Sequence, residues 1–161
     1  MANALLLTIA DALVSKLNGV GTFNAGTVTA ERIFPQSDPI SLADAASLKT
    51  IVIPRAERRI HESRKDQGIS VDVDLGLIKK LVAGNTVAQD KTELDGLIDL
   101  MDELSDYLAE NRTLSVSSAH WSGSELANVW APEHLEKSRI FFSFTTHTYD
   151  IIQELSWSEP S

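Results

Sequence analysis

The stretch from Thr50 to Leu81 constrains the fold of this chain more than any other. It opens on a short apolar run, Ile51-Val-Ile-Pro54, and passes into a charged segment, Arg55-Ala-Glu-Arg-Arg-Ile-His-Glu-Ser-Arg-Lys-Asp-Gln-Gly68. It then enters a run in which Ile69, Val71, Val73, Leu75 and Leu77 alternate with Ser70, Asp72, Asp74 and Gly76. Period two marks a strand with one buried face. Gly68 offers the backbone freedom for a turn, so the reading is a β-hairpin rooted in the core. The arm, Arg55 to Gly68, holds Arg55, Arg58, Arg59, Arg64 and Lys65, five of the fourteen basic residues, and its tip is too polar to bury. A projecting arm of this kind suits contact with a partner.

The chain is 161 residues long with 43% hydrophobic content, enough for one full core, and no stretch reads as an interdomain linker. The expected organisation is one domain over residues 1–155 and a short tail over 156–161. A net charge of −9 opposes general attraction to phosphate backbones, so no specific nucleic-acid partner is expected. Without cysteine there is no disulfide, thiolate zinc site or cysteine nucleophile. The apolar run Ala4 to Ala10 is broken by Asp11 and is read as neither signal peptide nor membrane span, so no membrane partner is expected.

Leu6, Ile9, Ala10, Leu13, Val14 and Leu17 recur at helical spacing, with Asn18-Gly19 as the expected stop. Thr27 to Phe34 reads as a strand ending at Pro35, Ser41 as the cap of a short helix, and Thr50 to Ile53 as a buried strand. From Asp90 to Arg112, Leu94, Leu97, Ile98, Met101, Leu104 and Leu108 fall three or four apart, predicting a long helix packed on one side. Asp95, Asp99, Asp102, Asp106 and Glu110 repeat on a neighbouring stripe. Leu114 to Trp121 predicts a further strand, Ser122 to Val129 a polar loop, and Pro132 to Lys137 a brief helix. Ile140 to Ile152 predicts a closing strand with Phe142 and Phe144 on one face and Phe141, Tyr149 and Ile151 on the other. The sum is an α+β domain: a twisted mixed or antiparallel sheet with a long helix and an N-terminal helix packed on it, and a hairpin arm.

This succession resembles the tail terminator, or tail completion, proteins of tailed bacteriophages. The residues that carry the resemblance are Ile51-Val-Ile-Pro54, Ser63-Arg64 before Ile69 to Lys80, the helix Leu94 to Leu108, and Phe141 to Tyr149, spread over nearly the whole chain. The resemblance implies a structural virion protein, not an enzyme, working without a cofactor. Such a protein forms a ring, typically of six copies, on the head-proximal end of the tail tube. It stops tube growth and docks to the head-completion or neck protein. It implies residence in the virion tail or neck, with assembly in the host cytoplasm. Another neck or head-tail connector protein, or a small-ligand or regulatory α+β domain, is the alternative, since one fold hosts many functions.

A closed ring needs two different, mutually fitting patches per subunit. The basic residues Arg55, Arg58, Arg59, Arg64 and Lys65 and the acidic Asp95, Asp99, Asp102 and Asp106 are the candidates, with Trp130 as an aromatic anchor. The plain alternatives are charges that shield an exposed strand edge, a solvated helix face, and tryptophans that pack under a loop. Carboxylates on one helix face, such as Asp95, Asp99, Asp102 and Glu103, rarely wrap a cation, and Asp72 with Asp74 reads as solvent-facing alternation. Of His61, His120, His134 and His147 no two stand four apart, and no nucleophile elbow surrounds a serine that would support a triad of Ser118, His120 and Asp150.

Overall fold

Two fifteen-residue strands, paired antiparallel along their whole length, form the centre of the molecule. The computed structural model describes residues 4–34, 47–61, 66–114, 119–128 and 139–154. Within these the order is α1 (Leu5–Val20), β1 (Thr22–Phe23), β2 (Gly26–Thr27), β3 (Ala30–Arg32), β4 (Lys49–His61), β5 (Asp66–Lys80), α2 (Val87–Glu110), β6 (His120–Asn128) and β7 (Ile140–Glu154). The main sheet has the order β3-β4-β5-β7-β6, with β3 parallel to β4 and every other pair antiparallel; β1 and β2 form a separate small hairpin. The architecture is therefore α+β with a mixed, mainly antiparallel sheet.

The alternation of β5 decides what each face holds. Ile69, Val71, Val73, Leu75 and Leu77 lie at most 1% exposed on the face that carries both helices, together with Phe141, Tyr149 and Ile151 of β7. Ser70, Asp72, Asp74, Gly76 and Ile78 point the other way. At one end of that far face Ile33, Ile51, Ile78 and Ile140 form a second buried cluster, with Ile53, Phe142 and Phe144 packed against it. The expected partition of the aromatic residues of β7 is the observed one.

α1 buries Ile9, Ala10, Leu13 and Leu17. It ends two residues beyond the expected stop, at Gly21, which takes φ 71° and donates its N–H to the Leu17 carbonyl. Asn18 is used differently from the expectation: its amide accepts from Ala30 N–H at 2.7 Å and donates to Ala30 O at 3.0 Å, pinning β3 to the helix. The expected strand over Thr27 to Phe34 shortens accordingly to β2 and β3.

α2 begins in a capping box: Gln89 N–H donates to Thr86 Oγ1 and Thr86 N–H to Gln89 Oε1. Arg139, at φ 55°, donates to both carboxylate oxygens of Asp90 at 3.0 and 2.8 Å and to Val82 O, holding the helix start against the entrance to β7. Leu97, Leu100, Met101, Leu104 and Leu108 are buried under it.

Three features differ from the expected hairpin. Gly68 is inside β5, paired with Ile60 and Ile152, so the reversal falls between His61 and Asp66. Pro54 does not end its strand; β4 runs on through a bulge between Pro54 and Ala56, beyond the reach of β3, where an edge position tolerates proline. The hairpin is also not a bare two-stranded arm, because β7 accompanies β5 out to Asp66. Further along, the expected polar loop over Ser122 to Val129 is strand as far as Asn128, within β6. Half of the expected strand over Leu114 to Trp121, residues 115–118, lies outside the described residues, between Thr113, which forms an isolated bridge with His120, and the start of β6. The short helices expected at Ser41 and at Pro132 to Lys137 lie outside the described residues.

Candidate functional site

The far face of the sheet carries a polar cleft between β4 and β6. In a regular strand Arg55 and Arg58 would point to opposite faces, since they stand three apart. The bulge after Pro54 shifts the register, and both arginines reach the same face. Arg55 Nη1 lies 3.0 Å from Thr146 Oγ1 and 3.5 Å from Asp74 Oδ1; Arg58 Nη2 lies 3.3 Å from Asp72 Oδ1. Asp74 and Asp72 accept shorter bonds from the hydroxyls of Thr146 at 2.6 Å and Thr148 at 2.7 Å. The expectation of solvent-facing aspartates is thus corrected: they are four-fifths covered, held by threonines of β7 and capped by arginines of β4. Above them opens a concavity of about 550 Å³, whose β6 wall is Ser122, Gly123, Ser124 and Glu125. A second bulge, between Trp121 and Gly123, shapes that wall.

Arg55 and Arg58 remain 57% and 63% exposed, so most of their donors face solvent. Arg59, 54% exposed, reaches Glu57 at 3.5 Å on the helix-bearing side. The five basic candidates therefore do not form one patch: Arg55 and Arg58 share the far face, Arg59 does not, and Arg64 and Lys65 lie outside the described residues.

The acidic candidates are together. Asp95, Asp99, Asp102 and Asp106 are all exposed. At about 100° per residue they fall on the side of α2 directly opposite its buried row, more sharply segregated than a neighbouring stripe. None of the four makes an ion pair among the described residues. Glu103 belongs elsewhere: its two oxygens accept the backbone N–H groups of Asn24 at 2.7 Å and Ala25 at 2.8 Å, fastening the β1–β2 turn onto α2. Among the described residues no three His, Asp or Glu side chains gather as metal ligands would.

Trp121 is half-buried against the core and donates its indole N–H to His147 Nδ1 at 3.1 Å, with Arg112 over its ring at 5.9 Å. That bond fixes the His147 proton on Nε2. The imidazole is fully buried, and burial pushes its pKa down to about 4. Burial likewise raises the Tyr149 hydroxyl. Trp130 lies outside the described residues.

Sequence reading missed the hydroxyls of Thr146 and Thr148, because only strand register brings them to Asp74 and Asp72 beside Arg55 and Arg58. It also missed the cap on α2, although Thr86 and Gln89 stand at capping-box spacing. Compared with protein-family models the chain matches none, and no curated protein matches it.

Proposed function

We propose that this chain is a structural virion protein of the tail-terminator type, assembling as a ring that caps the head-proximal end of a tail tube and receives the head-completion or neck protein. The observation that carries the reading is the shape of the sheet. β4, β5 and β7 run 13 to 15 residues, against about 5 to 6 in an ordinary strand. Among the described residues they outrun both neighbours: β3 pairs as far as Val52, and β6 as far as Asp150, while β7 continues to Glu154. A tongue of three strands set beside a charged helix gives one subunit two unlike surfaces, as a closed heterologous ring requires. The order of elements around it also supports the resemblance.

Function follows from covering one end of a stack. Each added layer of a tube presents the same binding end, so growth stops only when a differently shaped surface sits on it. The test is electron microscopy of particles made without the gene, followed by addition of purified protein. Filled heads, unjoined tails of abnormal length, and rescue on addition are expected. Tails of normal length that join heads in its absence would refute the terminator role.

A further inference from the structure

We propose that the Arg55–Arg58 cleft of one copy receives the outer acidic face of α2 of a second copy, a joint that rests on the reading that copies of this chain assemble. The guanidiniums are available for it. Their contacts to Asp74 and Asp72 are single and long, 3.5 and 3.3 Å, while those carboxylates are already held by threonine hydroxyls at 2.6 and 2.7 Å. A guanidinium has five donors in a planar fork, so each arginine can keep its aspartate and still grip an incoming carboxylate. The concavity of about 550 Å³ leaves room for carboxylate side chains, and its opposite wall is the β6 segment Ser122 to Glu125.

The occupant is chosen by charge and placement. The stripe from Asp95 to Asp106 spans about 16 Å of helix, and its four aspartates are exposed and make no ion pair among the described residues. It lies on the outside of the helix layer, whereas the cleft lies on the face of the sheet opposite α1 and α2. The two patches are therefore on opposite sides of the subunit. Joining them orders copies head to tail, the heterologous geometry, and leaves one patch free on each end until the assembly closes. With a net charge of −9 on each chain, a symmetric pairing of two α2 faces would set four aspartates against four. The cleft is where exposed guanidiniums meet that stripe instead, and Glu125 on its β6 rim keeps the helix toward the β4 side.

The experiment measures assembly mass by light scattering and native mass spectrometry for wild type, for R55E/R58E and for D99R/D102R. Each variant alone is expected to assemble at least about tenfold more weakly than wild type. Mixed in equal amounts the two should co-assemble, because the reversed cleft of one then fits the reversed helix of the other, and each keeps a native patch for the return contact. R55Q/R58Q, which removes charge without setting a carboxylate against Asp72 and Asp74, decides the case if R55E/R58E fails to fold; loss of assembly with unchanged circular dichroism supports the joint. Unchanged assembly of folded R55Q/R58Q, or folded reversed variants that stay apart when mixed, overturns the joint while leaving capping of tubes intact. A wild type that stays monomeric at the highest concentration reached also overturns it, and capping is then judged separately on tails.

Discussion

Gly76 of β5 lies directly beneath the ring of Phe144 on β7: a Cβ at residue 76 would stand 2.5 Å from Phe144 Cε1, 2.8 Å from Cδ1 and 3.0 Å from Ile51 Cγ1. The ring is held there by its edge-to-face partner Phe142, 4.4 Å away between centroids. Glycine in a strand interior ordinarily weakens it, so its presence here reflects space taken by the aromatic side chain. Gly76→Ala is expected to destabilise the fold by about 1 to 3 kcal/mol through overpacking, despite the better strand propensity of alanine. Combined with Phe144→Ala the two costs should add to less than their sum, since the second change removes the clash made by the first. Urea unfolding of the two single variants and the double variant measures this; additive costs would place the strain elsewhere.

Leu104 is fully buried between α2 and the sheet. Leu104→Ala is expected to cost roughly 2 to 5 kcal/mol as a core truncation, and the loss should appear as a shifted denaturation midpoint with an unchanged slope. A change below about 0.5 kcal/mol, the range of surface sites, would mean that this face of α2 is not packed on its own sheet.

His147 makes stability depend on pH. Burial pushes its folded-state pKa down to about 4, while in the unfolded chain it titrates near its ordinary 6.5. Between those values the unfolded state binds the extra proton, so stability rises with pH across the window and is lost as pH falls from 6.5 toward 4. The full gap corresponds to on the order of 3 kcal/mol. Protonation would also remove the acceptor that Nδ1 offers to Trp121. Wild type should therefore lose more stability than His147→Phe between pH 7 and pH 4.5, the carboxylates contributing alike to both. Equal losses in the two proteins would show that His147 stays protonated, or open to water, in the fold.

The parts of this molecule legible in the sequence are those written in short-range periodicity. The alternation from Ile69 to Leu77 and the three-and-four spacing from Leu94 to Leu108 each state directly which side chains are buried, because strand and helix geometry convert spacing into faces. The acidic stripe followed for the same reason. What depends on register between distant strands did not follow. Arg55 and Arg58 look unrelated by parity until a bulge turns one of them, and Thr146 and Thr148 reach Asp74 and Asp72 only because β7 pairs with β5 in one particular register. β6 was hidden for another reason: Ser122, Gly123 and Ser124 read as loop by propensity, and cross-strand pairing with β7 overrides it. Gly68 misled in the opposite sense, a turn-former spent inside a strand.

Glu103 and Asp102 are adjacent in sequence, both acidic and both on α2, yet the fold uses them in different ways. Glu103 accepts two charge-assisted hydrogen bonds, from Asn24 N–H at 2.7 Å and Ala25 N–H at 2.8 Å, and these hold the turn between β1 and β2 against the helix. That hairpin also carries Phe23, whose ring meets Tyr107 edge-to-face at 5.5 Å. Removing the carboxylate leaves two backbone donors at a partly covered turn without their acceptor, so Glu103→Ala is expected to cost about 1 to 3 kcal/mol. Amide exchange should quicken first at residues 22–28 and only slightly in the central strands. Asp102→Ala, which removes an exposed carboxylate with no ion pair among the described residues, should stay within about 0.5 kcal/mol of wild type. In an assembly assay the order is expected to reverse: Asp102→Ala weakens self-association in the folded subunit, while Glu103→Ala acts only as far as it loosens the hairpin. Equal stability costs for the two substitutions, or faster exchange spread evenly over the molecule in Glu103→Ala, would show that Glu103 does not fasten this turn.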